Sequence, residues 1–415
     1  MDENFLKEIR EELFNDILPY WRSFAIDRDS KGFFGAIDNS NMPDFDKERS
    51  VVMVSRFLWT YSAAYSFSGR KEYLDTAEYA FKYLYSCFWD EKFGGFFWSV
   101  NADGSPDVCR KQIYGNAFAL YALSEFSVAL HTAEKNGIRS TSNSVSILSD
   151  AWKLYSLLQA NAKDFQHGGY YEAKNRDWSW TDETKLSEKD IDCCKSMNTN
   201  LHVMEALSAL CSALKNVSGD DERLSNVQEN LSELVTVHLD HILQNDMHLA
   251  LYFDREWNVL EPKEISFGHD IEASWLLWEA VQTCGKFADE SVRAKILQIA
   301  QVSLEQGFDG DTGGMDNCIY PGAKRDSTRV WWVQAEAVNG FFNAWQLCND
   351  EKYMSAVKKL WKWINDFQKD RTWGEWFAEV SRDGKADYGM PKGGNWKTCY
   401  HNGRMCMEIL KRCCS

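Results

Sequence analysis

The sequence predicts an all-α fold, an (α/α)6 barrel of about twelve helices with short β-hairpin loops on one face. Two observations predict it: a short aromatic signature recurs along the chain, and the stretches between its copies carry apolar residues at helical spacing. Only 6 of the 415 residues are proline, which argues against a long linker. Residues 1–415 are therefore expected to form a single domain.

The aromatic signature is the repeat that sets the number of units. Its copies start about 60 to 80 residues apart, enough for two helices and their connections. Most copies begin with glycine and run on into a turn-rich tail such as residues 101–104 or 382–384, which predicts a short strand followed by a turn. The copies are Gly32-Phe33-Phe34-Gly35, Gly94-Gly95-Phe96-Phe97, Gly168-Gly169-Tyr170-Tyr171, Leu251-Tyr252-Phe253, Gly313-Gly314-Met315 and Gly374-Glu375-Trp376-Phe377.

Helices are predicted between these copies, because apolar residues recur at i, i+3, i+4 and i+7. The clearest stretches are Val51–Phe67, Tyr73–Phe88, Gly115–Leu130, Asn198–Leu214 and Ala335–Leu347. The polar stretch 135–146 is the best candidate for a surface loop. An open helical solenoid is the alternative arrangement. The barrel is favoured because six units can close a ring and the signature matches no common solenoid repeat.

Composition narrows the class of partner. The formal net charge of −16 disfavours nucleic acid and anionic membranes as partners. No run reaches the roughly 18 uncharged apolar residues of a membrane span. The first residues lack the basic start and apolar run of a signal peptide, and the 12 cysteines contain no CxxC pair. We therefore expect a cytoplasmic protein with reduced thiols.

Polar residues interrupt four of the apolar helical stretches, and helical spacing puts each set on one face. A histidine or charged stripe of this kind usually has a structural role. Four such faces in one chain are harder to explain as purely structural, because burying several ionisable groups without partners is costly. If these faces point to the barrel centre, they form a polar pocket. The sets are His269 with Glu272; His401 with Arg404 and Glu408; Arg329 with Trp332 and Glu336; and Asn198 with His202 and Glu205.

No motif indicates a metal or a cofactor. His238 and His241 could suggest a metal site, but no further ligand cluster accompanies them. Lys392-Gly393-Gly394-Asn395 lacks the Lys-Ser/Thr of a phosphate-binding loop, and no dinucleotide fingerprint is present. The sequence therefore predicts neither a metal nor a cofactor.

Three segments resemble the N-acylglucosamine 2-epimerase superfamily, in particular its branch acting on β-1,4-linked disaccharides. They are residues 268–273, 329–337 and 396–408, and the similarity extends over nearly the whole chain. The resemblance implies an (α/α)6 barrel and reversible inversion at C2 of the reducing-end glucose. Cellobiose would give glucosyl-mannose and lactose would give epilactose, with mannobiose left open as a substrate. It further implies a monomer that needs no cofactor.

The resemblance also implies roles for individual residues. His269 and His401 are the expected general acid–base pair, with His202 as a third histidine that assists ring opening. Arg56 is expected to bind the sugar oxygens; where relatives often carry histidine two residues before it, this chain has Val54. Glu272 and Glu336 are the expected orienting carboxylates. The expected substrate-binding residues are Tyr114, Asp190, Asn198, Trp331, Trp332 and Trp396, with Trp332 and Trp396 as the stacking pair.

Two histidines suit this chemistry. A closed sugar ring has no carbonyl, so it must open before the C1 aldehyde can acidify the C2 proton. One base removes that proton to give a cis-enediol, and an acid on the other face returns one. Imidazole, with an ordinary pKa of about 6.5, can take either role near neutral pH.

Three alternatives stay open on the sequence. The first is another enzyme of the same superfamily, an N-acylglucosamine 2-epimerase or a mannose isomerase. The second is a glycoside hydrolase, which needs two carboxylates across the scissile bond; Asp190, Asp270, Glu272 and Glu336 are the candidates. The third is a sugar-binding protein without catalysis.

Overall fold

Helices form most of the computed structural model, which describes residues 2–29, 32–286 and 290–414. Within these residues there are thirteen α-helices. They are α1 (Glu3–Glu11), α2 (Leu18–Phe24), α3 (Val51–Ser68), α4 (Lys71–Tyr83), α5 (Ile113–Lys135), α6 (Ser144–Asn161), α7 (Met197–Ala213), α8 (Asp221–Val237), α9 (Phe267–Cys284), α10 (Glu290–Val302), α11 (Trp331–Cys348), α12 (Glu351–Trp363) and α13 (Tyr400–Cys414).

Six π-helical segments extend or join these helices. One of them connects α1 to α2, so the described chain contains twelve continuous helical stretches, as the repeat predicted. The segments are Glu12–Ile17, Leu84–Phe88, Leu214–Ser218, His238–Ile242, Ser303–Gly307 and Ile364–Gln368.

The helices form a closed double ring. In the inner ring, α3, α5, α7, α9, α11 and α13 each pack against the next, and α13 packs back against α3. The outer helices α4, α6, α8, α10 and α12 each pack against the inner helix that precedes them, and α1 packs against α13. Contact between the first and last inner helices is what an open solenoid lacks, so the barrel prediction is confirmed.

The apolar patterns explain which helices lie inside. Every residue of α3 from Val51 to Tyr65 is buried, because this helix has neighbours on all sides. In α4, by contrast, buried residues recur on one face while Lys71, Glu72 and Asp75 are exposed. The helix limits predicted from periodicity agree with the structure to within a few residues. The loop predicted at 135–146 corresponds to the segment between α5 and α6.

Sixteen short strands occur among the described residues, and all pairings are antiparallel. Five of the nine pairings connect segments about 50 to 60 residues apart in the chain, so they join neighbouring units. Three others are local hairpins of the predicted kind. The two-stranded sheets are Ile26–Asp27 with Gly32–Phe33, Arg49–Ser50 with Ser99–Val100, Lys111–Gln112 with Ala173–Lys174, Lys195–Ser196 with Tyr252–Phe253, and Arg329–Val330 with Glu379–Val380. One three-stranded sheet contains, in order, Ile265–Ser266, Cys318–Tyr320 and Lys324–Asp326. The other contains, in order, Gly393–Gly394, Ala36–Ile37 and Pro43–Asp44.

The predicted turns do form in the tails of the aromatic segments. The amide of Gly104 donates to the carbonyl of Asn101, and the amide of Gly384 donates to that of Ser381. Both glycines have a φ of +84°, a conformation that side chains with a Cβ rarely adopt.

A buried ion pair ties most units together. In five of the six units, an aspartate just before the aromatic segment forms an ion pair with a lysine or arginine in or next to the strand that precedes the next inner helix. The unit leading into α9 departs from the pattern. The pairs are Asp27–Arg49, Asp90–Lys111, Asp164–Lys195, Asp309–Arg329 and Asp370–Lys392. Together with the strand pairs, they fix where each inner helix begins.

No helix in the described part of the chain is both long and apolar enough to cross a membrane.

Candidate active site

A cavity of about 190 Å³ lies where the inner helices begin. All six inner helices contribute a side chain from their first two turns, so these helices all start at the same end of the barrel. The lining residues are Arg56, Tyr114, Asn198, His202, His269, Glu272, Trp331, Trp332, Trp396 and His401. Every one of them was predicted as a site residue from the sequence.

His401, in the first turn of α13, is held by a carboxylate from a different helix. Its Nδ1 lies 2.6 Å from Oε1 of Glu336 on α11. Because a carboxylate only accepts, Nδ1 carries the proton and Nε2 keeps its lone pair. Burial lowers the pKa of His401 well below its ordinary value, and the positive charges of Arg56 and Arg404 lower it further. The resting ring is therefore neutral.

His202, in the second turn of α7, has the same kind of partner. Its Nδ1 lies 2.8 Å from Oε2 of Glu205, three residues further along the helix. Burial is the main reason that the pKa of His202 is lowered, while Glu205 acts in the opposite direction. The face that the sequence predicted for Asn198, His202 and Glu205 is thus present in the structure.

His269 differs from the other two histidines, because its partner is a hydroxyl. Its Nδ1 shares a hydrogen bond of 2.8 Å with Oγ of Ser266. Glu272, which we expected to orient this ring, bonds to Arg404 instead. Burial lowers the pKa of His269 to about 3. The indole of Trp332 lies between the two catalytic candidates, with ring centroids 4.9 Å from His269 and 5.7 Å from His401.

Beneath the cavity, one buried arginine contacts three carboxylates. Nη2 of Arg404 lies 2.7 Å from both Glu272 and Glu336, and Nη1 bonds to Glu205. Arg404 lowers the pKa of Glu205, which is about 2 despite burial. Burial and the charge of Glu336 raise the pKa of Glu272 to about 8.

This cluster also bears on metal binding. Among the described residues, Glu272, Glu336 and His401 form the group whose ligand atoms lie close enough for one ion, within 4.8 Å of one another. However, the guanidinium of Arg404 already bonds to both carboxylates, and Nδ1 of His401 donates to Glu336. A cation would have to displace the arginine, so this donor set does not fit a metal.

Arg56 lies at the wall of the cavity, in the second turn of α3. Its Nη1 donates to the carbonyl of Trp396 at 2.5 Å, and its Nη2 lies 3.1 Å from the hydroxyl of Tyr114. The guanidinium also lies over the ring of Phe118, 4.6 Å from its centroid. These contacts fix the guanidinium while it still lines the cavity. Val54, two residues before Arg56, is fully buried.

The aromatic and polar residues expected to bind substrate differ in their exposure and in the cavity that they line. Trp332 and Asn198 are partly exposed in the cavity, and Trp396 is 36% exposed. Asp190 is the exception: it lines an adjoining smaller cavity that Asn198 and His269 share. Its carboxylate accepts from Ser187 of its own loop at 2.6 Å and from Tyr252 of a neighbouring strand at 2.8 Å, and these two bonds hold it.

Two residues singled out from the sequence lie elsewhere. Asp270 faces away from the cavity and pairs with His248 at 2.7 Å, so it is no candidate for hydrolase chemistry. Arg329 precedes α11 in a strand and pairs with Asp309 at 2.9 Å. It therefore shares no face with Trp332 and Glu336, and that expectation was wrong.

Sequence reasoning gave no role to Arg404, Glu205 or Ser266. Each lies three residues from a histidine: Arg404 after His401, Glu205 after His202 and Ser266 before His269. That spacing was the available signal, and it puts Glu205 and Arg404 on the histidine's helical face.

The chain is similar to known proteins over nearly its whole length. A family model described as N-acylglucosamine 2-epimerase (GlcNAc 2-epimerase) matches residues 32–403. A cellobiose 2-epimerase of Bacteroides fragilis is 37% identical over 416 residues, covering 99% of this chain and 100% of the relative. A D-mannose isomerase of Marinomonas mediterranea is 23% identical, covering 92% and 91% of the two chains. The solved structure of cellobiose 2-epimerase from Spirochaeta thermophila superposes with a TM-score of 0.88 at 37% identity, covering 99% and 96%.

Proposed function

The chain belongs to the N-acylglucosamine 2-epimerase family, and on this premise we propose that it is a cellobiose 2-epimerase. It would invert C2 of the reducing-end glucose in β-1,4-linked disaccharides, reversibly, turning cellobiose into glucosyl-mannose and lactose into epilactose. The supporting comparison is the identity, 37% to the cellobiose 2-epimerase against 23% to the D-mannose isomerase, each over nearly the whole chain.

The observation that carries the proposal is the pair of neutral histidines in one cavity. His269 and His401 both contact the indole of Trp332, and lowered pKa values keep both rings unprotonated. A neutral imidazole with a free nitrogen can remove the C2 proton of the opened sugar. Glu336 then stabilises the imidazolium that forms on His401, because it accepts from Nδ1.

The remaining cavity residues fit the other steps. Arg56 offers a cation to the oxygen on which negative charge develops as the enediol forms. His202, backed by Glu205, can exchange a proton with a ring or hydroxyl oxygen during opening. Trp396 and Trp332 offer aromatic faces for the sugar that does not react. We propose that no metal ion or nucleotide takes part, and the position of Arg404 between two carboxylates supports this.

Incubation with cellobiose in deuterated water, followed by proton NMR, tests the proposal. Glucosyl-mannose carrying deuterium at C2 is expected, because the proton returned to C2 comes from a group that exchanges with solvent. Unchanged cellobiose with turnover of mannose or N-acetylglucosamine would assign the chain to another activity of its family. Release of free glucose would indicate hydrolysis.

We further propose that the protein works as a monomer in the cytoplasm. The net charge of −16 disfavours nucleic acid and anionic membranes as binding partners, because both are negatively charged. Sedimentation of the purified protein would test the monomer.

A further inference from the structure

Arg404 lies at the centre of the inner ring, below the cavity and outside its lining. It is 1% exposed, and its guanidinium packs over the rings of Tyr400 and Trp275 at 4.4 and 4.8 Å. Its hydrogen bonds reach three other inner helices, through Glu205 on α7, Glu272 on α9 and Glu336 on α11.

Two of these carboxylates are also the partners of histidines. Glu205 accepts from Nδ1 of His202 with Oε2, and Arg404 bonds to its Oε1. Glu336 accepts from Nδ1 of His401 and from Arg404 with the same Oε1, while its Oε2 accepts from Trp275 at 3.0 Å. One guanidinium therefore touches both histidine–carboxylate pairs.

Charge makes this contact necessary. Glu205, Glu272 and Glu336 would repel each other if all three were ionised, and an unpaired buried carboxylate is costly. Arg404 compensates them from a single position. The other charged or titratable groups around the cluster include Arg56, Tyr114, Tyr121, His202, His269, Glu279, Tyr400, His401 and Glu408.

We propose that Arg404 is a positioning residue that joins the His202–Glu205 and His401–Glu336 pairs into one unit, so that the orientation of both imidazoles depends on one guanidinium. The proposal rests on the proposed epimerase function. Arg404 acts through Glu205 and Glu336, because both carboxylates fix the proton on Nδ1 and thereby leave Nε2 free. His269 lies outside this unit, since Ser266 holds it.

The planar shape of arginine is essential to the arrangement. Nη1 bonds to Glu205 and to the hydroxyl of Tyr400, while Nη2 bonds to Glu272 and Glu336. Lysine keeps the charge but has a single nitrogen, which cannot reproduce a fork of this width. Arg404→Lys is therefore the informative substitution.

The test compares Arg404→Lys with Arg412→Lys, a matched control two turns further along α13. Arg412 pairs with Glu408 and Asn343 and touches no histidine. We expect Arg404→Lys to lower kcat for cellobiose roughly 10- to 100-fold, the usual cost of losing such a supporting partner. KM should change less than threefold, because Arg404 does not line the cavity. Arg412→Lys should change neither.

A spectroscopic readout separates positioning from general damage. In ¹⁵N spectra of the histidine side chains, Arg404→Lys should move the Nδ1 and Nε2 signals of both His202 and His401. The signals of His269 should stay in place, which gives an internal control. Movement of only one pair, of neither, or of all three histidines equally would overturn the proposal.

If Arg404→Lys does not fold, Glu205→Gln tests the same proposal. Breaking the His202–Glu205 pair should then also move the ¹⁵N signals of His401, although His401 has no hydrogen bond to Glu205. Unchanged His401 signals would overturn the proposal. The spectra do not depend on turnover, so they stay decisive even if wild-type protein leaves cellobiose unchanged, a result that would contradict only the proposed function.

Discussion

The three histidines of the cavity differ in what holds them. His202 and His401 each donate to a carboxylate, whereas His269 shares its proton with a serine hydroxyl. A carboxylate stabilises a positively charged ring far better than a hydroxyl does. The two catalytic candidates are therefore not equivalent, because only His401 has a carboxylate at Nδ1.

Replacing His401 tests its proposed part in proton transfer. We expect His401→Asn to lower kcat for cellobiose about 10²- to 10⁴-fold, the usual contribution of general acid–base assistance. Binding, measured by calorimetry, should be largely kept because the aromatic faces and Arg56 remain. His131→Asn, a change in a partly exposed residue of α5, is the control. Unchanged turnover in His401→Asn would remove this residue from the mechanism.

The raised pKa of Glu272 has a consequence for stability. Its pKa is about 8 in the folded protein and 4.5 in the unfolded chain, so between these values the folded state binds the extra proton. Stability contributed by this group is therefore fully present below pH 4.5 and is lost as the pH rises towards 8. We expect the melting temperature of the wild-type protein to fall more steeply between pH 5 and pH 8 than the melting temperature of Glu272→Gln. Parallel curves would contradict the prediction.

The sequence predicted these residues better than it predicted their partners. Helical spacing and family resemblance together singled out every residue that lines the cavity. Spacing within one helix does not tell which group on another helix is in reach, so Glu272 was paired with His269 instead of Arg404. The bond from His401 to Glu336 spans 65 residues, and only the closed ring brings its two ends together.

At the level of elements, the start of each inner helix is the part that the fold controls most closely. A strand pair and, in five of the six units, a buried ion pair precede it. Periodicity located the helices, because their apolar residues recur over several turns. It could not locate the strand partners, because strands of two residues carry almost no pattern and pair across about 50 to 60 residues.

The Asp90–Lys111 pair tests how much these junctions matter. Both side chains are fully buried, 3.0 Å apart. Asp90→Asn would leave Lys111 as a buried charge without its carboxylate, which typically costs about 3–5 kcal/mol of unfolding free energy. Asp350→Asn is the control, because that residue pairs with Lys352 at the surface and asparagine keeps the helix cap. Chemical denaturation measures both, and equal midpoints would contradict the prediction.

At the level of the whole molecule, closure of the ring makes the units depend on each other. Because α13 packs against both α3 and α11, neither α3 nor α13 can detach from the ring without exposing its interior. We propose that residues 1–415 form one catalytic domain, and we expect a single cooperative unfolding transition in calorimetry. Deleting α13 should abolish that transition. Two separate transitions in the intact chain would show that it contains more than one folding unit.

The common starting end of the six inner helices has an effect beyond the side chains they carry. Each helix has a macrodipole equivalent to about half a positive charge at its first turn. Six such ends surround the same cavity, so the backbone itself produces a positive electrostatic potential there. An enediolate, which is more anionic than the sugar it comes from, is stabilised by this potential more than the substrate is. In the proposed reaction, the architecture of the barrel would thus favour the intermediate even where no side chain touches it.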